Sequence, residues 1–361
     1  MSGLAYTQDW EAAKSAYAGW WQHRAEKPLL AVSAWETTCP PHWSHWDFLR
    51  RQGEEEKVLD AFARSCEATS FFGDAFPSLM PHTGPIGLAP LYTGHLIFQS
   101  ETAWVECRNT PEEILRLSLD TEGKWYRFTR NLVEVSLRRG EGKWITAMPD
   151  FSSPTDILAA LRGTQNLLED FADRPDTVAE MTEKVTEDLS ATLDAFGQLL
   201  LAGQEGMSSW MRLWCPSQYV VLQCDFSTMI SSEMFDRLCL PYVAHLARTF
   251  PFSVYHLDGP GAVRHLPSLL DIAQLDAIQW TPGAGNPGLE DPCWMPLYRQ
   301  VLSAGKNLVL LGVPFASADG LLRSLGTPRL FVSSVAPSVE EGRRFVAHWK
   351  KRPDAWHRTA F

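Results

Sequence analysis

An α/β protein built as a (β/α)8 TIM barrel, with an N-terminal extension and an inserted β-hairpin, is the fold predicted by three observations. First, five short apolar or β-branched runs in the second half each precede a stretch with helical spacing, the mark of a parallel sheet. Second, three further runs of the same kind in the first half bring the strands to eight. Third, 361 residues with 45% hydrophobic content suit one barrel domain over residues 1–361. A doubly wound open sheet is the alternative.

The first-half strands are "PLLAVSAW" from Pro28, "ATSFFGD" from Ala68 and "WITAM" from Trp144. Between them, "HLIFQSETAWVECR" reads as the hairpin. "TPEEILRLSL" opens a helix, with Thr110, Pro111 and Glu113 in cap, first-turn and capping-box positions. A long amphipathic helix follows Asp173 and Pro175 and runs to about Gly203. The second-half strands are "QYVVLQCD" from Gln218, "FSVYHLD" from Phe252, "LDAIQW" from Leu275, "NLVLLG" from Asn307 and "RLFVSS" from Arg329. After the first of these, Ser231 or Ser232 caps a helix whose face carries Met234, Phe235, Leu238 and Leu246, with a kink at Pro241. After the last, Ser338 and Glu341 stand in capping-box spacing.

Charge and cysteine usage narrow the partners. A net charge of −11 repels nucleic acid and anionic membranes, which leaves a small molecule as the expected ligand. The seven cysteines, Cys39, Cys66, Cys107, Cys215, Cys224, Cys239 and Cys293, form no CxxC pair, a pattern expected of reduced thiols in the cytoplasm. The start, "MSGLAYTQDWEAAK", lacks a basic stretch leading into an apolar one, and no apolar run approaches the roughly 18 residues of a membrane span. A homodimer is compatible with all of this.

Barrel enzymes place their chemistry at the C-terminal ends of the strands. The polar residues predicted there are Asp74, Cys224, Asp225, His256, Asp258, Trp280, Ser333 and Ser334. His256 and Asp258 lie two apart on a strand and so face the same side; they either line a site together or end the strand with an Asx turn into Gly259-Pro260-Gly261. Cys224 is a ligand or a small buried hydrophobe. Asp74 and Asp225 line the site or cap the following helices. Arg162 in "ALRGTQ" offers a guanidinium to a carboxylate substrate or forms a helix salt bridge. "TPGAGNPG" from Thr281 reads as a flexible loop and His265 as a surface or supporting residue. Most of the fifteen tryptophans are expected in the core, with a few forming an apolar wall for an organic ligand.

The order of segments resembles the uroporphyrinogen decarboxylase superfamily, which includes the zinc methyltransferases that pass methyl groups from corrinoid proteins to thiols. The resemblance rests on "FFGDAF", "PTDILAALRG" leading to "DRPDTVAEM", "ISSEMFDRLCLPYVAHL", and "YHLDGPGAVRHLPSLLDI" with "LDAIQW". It implies that Asp74 stands where the decarboxylases carry a pyrrole-binding aspartate. Their arginine-rich N-terminal motif has no counterpart in "WWQHRAEKPLLAVSAW", and their active-site tyrosine is replaced by a small residue near Ala159, so uroporphyrinogen itself is not the expected substrate. The methyltransferases hold zinc with His-x-Cys and a cysteine after the last strand. Here those positions read His256-x-Asp258 and Ser333-Ser334, and Cys224 offers the sulfur instead. Cys224, His256 and Asp258 with one open position make a donor set that zinc accepts.

The expectation is therefore a methyl- or alkyl-transferase acting on a small organic substrate, with zinc activating a thiol and a corrinoid protein as partner. His256, Asp258 and Asp74 are its catalytic candidates, and Asp225, Arg162 and Trp280 its substrate-binding candidates. The alternatives are a metal-free decarboxylase of an aromatic or pyrrolic acid and a barrel that binds without chemistry.

Overall fold

Apolar runs bounded by turn residues form the strands of this chain, which a computed structural model describes over residues 3–35, 43–85 and 87–351. They are β1 Leu29–Ala34, β2 Ser70–Gly73, β3 Ser78–Leu79, β4 Ile97–Gln99, β5 Thr102–Trp104, β6 Ile145–Thr146, β7 Tyr219–Leu222, β8 Phe252–Asp258, β9 Ala277–Thr281, β10 Asn307–Leu310 and β11 Leu330–Val335. Seven of them make one mixed sheet in the order β2-β1-β11-β10-β9-β8-β7, parallel throughout except for β2. The five strands expected in the second half are β7 to β11, each followed by helix as anticipated.

The first half departs from expectation at two strands. "ATSFFGD" forms β2, but β2 runs antiparallel to β1, with Ala31 opposite Gly73 and Ala34 opposite Ser70. Gly73 holds φ 69°, and a Cβ there would stand 2.2 Å from the Leu30 carbonyl oxygen, so only glycine fits this approach. "WITAM" contributes only the two-residue β6, paired in parallel with β3, and a parallel bridge from Ala147 to Ser208 extends it. The hairpin is present as β4 and β5, with Ser100 in the left-handed region at its turn.

Among the helices, Pro175–Gly203 matches its expected bounds. The capping box at Thr110 forms in full but starts only the single turn Pro111–Ile114. The kink expected at Pro241 is a complete break: Ser232–Leu238 ends at Cys239 and Leu240–Thr249 begins with the proline in its first turn, where a missing N–H costs nothing. No helix among the described residues is long and apolar enough to cross a membrane. Six of the cysteines are free; Cys39 lies outside the described residues.

The helix Trp10–Trp21 decides which end of the sheet is open. Trp21 packs on Tyr219 and Phe252, with ring centroids 5.1 and 5.2 Å away, and the Asn307 amide donates to the Trp20 carbonyl at 2.9 Å. Tyr219, Phe252 and Asn307 are the first residues of β7, β8 and β10. This helix therefore covers the N-terminal strand ends, and the C-terminal ends are left for other work.

Strand register then sorts side chains by face. His256 pairs with Gln279, Val309 with Gln279 and with Phe331, and Phe331 with Leu29, so these share one face with Asp258, Thr281, Ser333, Ala31 and Ser33. Leu222, Tyr255, Leu257 and Trp280 occupy the other face, against helices.

Candidate metal centre

Asp225, His256 and Asp258 converge at the C-terminal ends of β7 and β8, each offering a ligand atom within 4.8 Å of the others. Asp258 follows His256 by two along β8, which puts both on one face. Asp225 opens a short 3-10 helix, Asp225–Met229, immediately after β7. That turn is pinned from outside the strand: Asp156 accepts from the backbone N–H groups of Asp225 at 3.1 Å and of Phe226 at 2.9 Å, and Ser153 donates to the same carboxylate. Asp156 thus positions Asp225 without joining the triad.

His256 is oriented by β9. Gln279 donates through its amide nitrogen to the Trp280 carbonyl at 2.7 Å and to Thr281 Oγ1 at 2.9 Å, which leaves its Oε1 to accept from His256 Nδ1. Nδ1 must then carry the proton, and Nε2 presents a lone pair. A ligand histidine held through its second nitrogen by a carbonyl is the usual support in metal sites. Burial holds His256 below the ordinary histidine range, which keeps it neutral, and the Trp210 ring stands edge-on to it at 5.1 Å.

The carboxyl groups crowd one another. Burial, then the charge of Asp258, raises Asp225 to about 6; burial, then Asp225, raises Asp156 to about 6; burial raises Asp150 to about 7. Two carboxylates and a neutral imidazole around a common point are donors that a divalent cation accepts, and its charge would relieve this repulsion. A carboxyl held above its unfolded value binds its proton more tightly in the folded chain. Its contribution to stability is therefore largest below about pH 4 and is lost as pH rises through the folded value. With chelator present, the thermal midpoint of the wild type relative to Asp225→Asn should fall between pH 4 and 7; a flat or rising difference contradicts the raised Asp225.

The other candidates lie elsewhere. Cys224 faces away: counted from Leu222 it belongs to the helix-facing side, where its Sγ lies 3.1 Å from Thr155 Oγ1, and Asp225, one residue on, takes the place expected of it. Asp74 sits beside Leu30 at the N-terminal end of β1, because β2 is antiparallel; its Oδ2 accepts from the Leu30 N–H at 2.8 Å. Arg162 is bound into an ion pair with buried Asp170, Nε to Oδ2 2.7 Å. Trp280 is fully buried on the helix-facing side, its ring 4.9 Å from that of Trp294. Ser333 and Ser334 serve the backbone after β10, accepting from the Gly312 N–H and donating to the Val313 carbonyl. His265 is buried, stacked on Phe235 at 4.3 Å, with Nε2 3.0 Å from the Ser227 carbonyl oxygen in the turn that carries Asp225.

Sequence reading missed Asp150, Asp156, Trp210 and Gln279. Gln279 carried a signal, a lone amide inside an apolar strand opposite His256. Asp156 occupies the first turn of the helix Pro154–Arg162, where an acid is ordinary and carries no signal of a site. Compared with known proteins, the chain matches no family model and no curated protein.

Proposed function

We propose that the chain is a metal-dependent methyl- or alkyl-transferase with a thiol acceptor, related to the uroporphyrinogen decarboxylase and corrinoid methyltransferase superfamily and working in the cytoplasm. The observation that carries this reading is the Asp225, His256 and Asp258 triad with a neutral, oriented imidazole. Closure of the sheet into a (β/α)8 barrel belongs to the same reading; the parallel β3–β6 pair and the Ala147–Ser208 bridge supply strands for it.

Zinc, bound by this triad, would lower the pKa of a substrate thiol so that the thiolate is present at neutral pH. Asp225 and Asp258 supply oxygen donors and His256 Nε2 the nitrogen. Gln279 fixes the tautomer, Asp156 holds the turn, and Trp210 covers the imidazole edge. With three protein donors among the described residues, a fourth position would be left for the acceptor sulfur. In the transfer a sulfur–carbon bond forms, the donor–methyl bond breaks, and its electron pair stays on the donor, a methylated corrinoid. The thiol proton leaves to solvent.

The test is zinc-dependent thioether formation from methylcobalamin and a panel of small thiols, read by mass spectrometry together with loss of the methylcobalamin spectrum. Product that requires zinc and is lost in His256→Ala supports the reading; no product with any thiol sinks it. Carbon dioxide released from an aromatic acid without metal would instead favour the decarboxylase, for which the carboxyls drawn toward neutrality are the supporting observation.

A further inference from the structure

Arg212 lies in the irregular segment between the helix Pro175–Gly203 and β7, two residues after Trp210, whose ring meets His256. Its backbone is left-handed, φ 53°, a conformation that a non-glycine residue seldom adopts and that clusters at ligand clamps. The side chain is accessible to solvent, yet protein surrounds it closely enough that burial pulls its guanidinium below the ordinary arginine range. Two cavities, of about 230 and about 100 Å³, share Arg212 together with Ser33, Phe71 and Phe76.

Among the described residues no carboxylate pairs with this cation. The Cys66 thiol is its neighbour, but burial pushes that thiol up to about 12, so it is neutral and offers no counter-charge. Among the described residues this leaves the guanidinium to pair with what enters the cleft. Ser33, Phe71 and Ser333, which line the cavities, stand on the same face of the sheet as His256 and Asp258. Aromatic and hydroxyl walls with one planar cation suit an organic carboxylate, which a guanidinium grips through two parallel hydrogen bonds.

We infer that Arg212 anchors the carboxylate of an organic substrate in the cleft it lines, on the same face of the sheet as His256 and Asp258. That this anion is the substrate rests on the transferase reading; the cleft and its cation, unpaired among the described residues, do not. Arg162, the guanidinium expected from sequence, is already neutralised by Asp170.

Calorimetric titration with benzoate, phenylacetate and succinate, against benzamide and inorganic phosphate, tests this on the full chain with and without zinc. The expected result is carboxylate binding at least about tenfold tighter than that of the amide or of phosphate, lost by about tenfold or more in Arg212→Met. Arg212→Gly is the folding control, since glycine accepts the left-handed backbone: its thermal midpoint should equal or exceed the wild type's while carboxylate binding is lost. Asp258→Asn should lose zinc and keep carboxylate binding. Unchanged affinity in both Arg212 variants, amide or phosphate binding as tight as carboxylate, or failure of every carboxylate to bind overturns the inference. Because the readout needs neither metal nor turnover, its failure and that of the transferase reading are separate events.

Discussion

His256→Ala and Asp258→Asn are each expected to strip the protein of zinc, from about one equivalent per chain to below about a tenth, and to abolish transfer activity with it. His256→Ala removes the nitrogen donor, and Asp258→Asn replaces an anionic oxygen donor with a neutral, weaker one. Two further variants divide this account from a mere cluster of polar groups. Gln279→Leu leaves all three donors but frees the imidazole, and should weaken zinc binding by about 10- to 100-fold. Cys224→Ala should leave zinc content unchanged, because its sulfur faces Thr155 on the helix side. Metal analysis of the purified variants reads all four. Loss of zinc in Cys224→Ala with retention in His256→Ala would reverse the assignment.

Arg162→Met should be among the most destabilising single changes in the chain. Its partner Asp170 is 4% exposed, and stripping a buried carboxylate of the guanidinium paired with it costs about 3–5 kcal/mol. The Asn109 carbonyl, which accepts from Nη1 at 3.3 Å, loses a donor as well. The double variant Arg162→Met, Asp170→Leu removes both charges and should recover most of that loss, since a well-packed apolar pair can replace a buried ion pair. Urea denaturation measures this. A small stability change with a specific rise in substrate KM would instead return Arg162 to substrate binding.

Much of the sheet is readable because β7 to β11 are largely buried, so each stands out as a mostly apolar run between polar turns. β2 and β6 were readable as extended segments only. Strand direction depends on which neighbour a segment meets, and nothing in "SFFG" records that β1 lies antiparallel beside it. That one reversal carried Asp74 to the N-terminal end of β1.

The same distinction runs through the site. The two-residue period of a strand puts His256 and Asp258 together from the sequence alone. Applied one strand earlier, it also separates Cys224 from Asp225, but only once Leu222 is known to pair with Tyr255 and the facing of β7 is settled. Arg212 had no periodic setting at all: its segment is irregular, and its meaning comes from the cavity around it and the absence of a carboxylate among the described residues. Arg162, by contrast, looked available only because Asp170, eight residues on, is brought back to it by the helices Pro154–Arg162 and Thr164–Asp173.

X-ray absorption at the zinc edge, on protein loaded with one equivalent of zinc, tests the central claim most directly. Without added thiol, the account predicts a first shell of oxygen and nitrogen alone at about 2.0–2.2 Å, and with acceptor thiol a single sulfur at about 2.3 Å. A sulfur already present without thiol, or a shell that added thiol leaves unchanged, would contradict a site of Asp225, His256 and Asp258 with one position open to the acceptor.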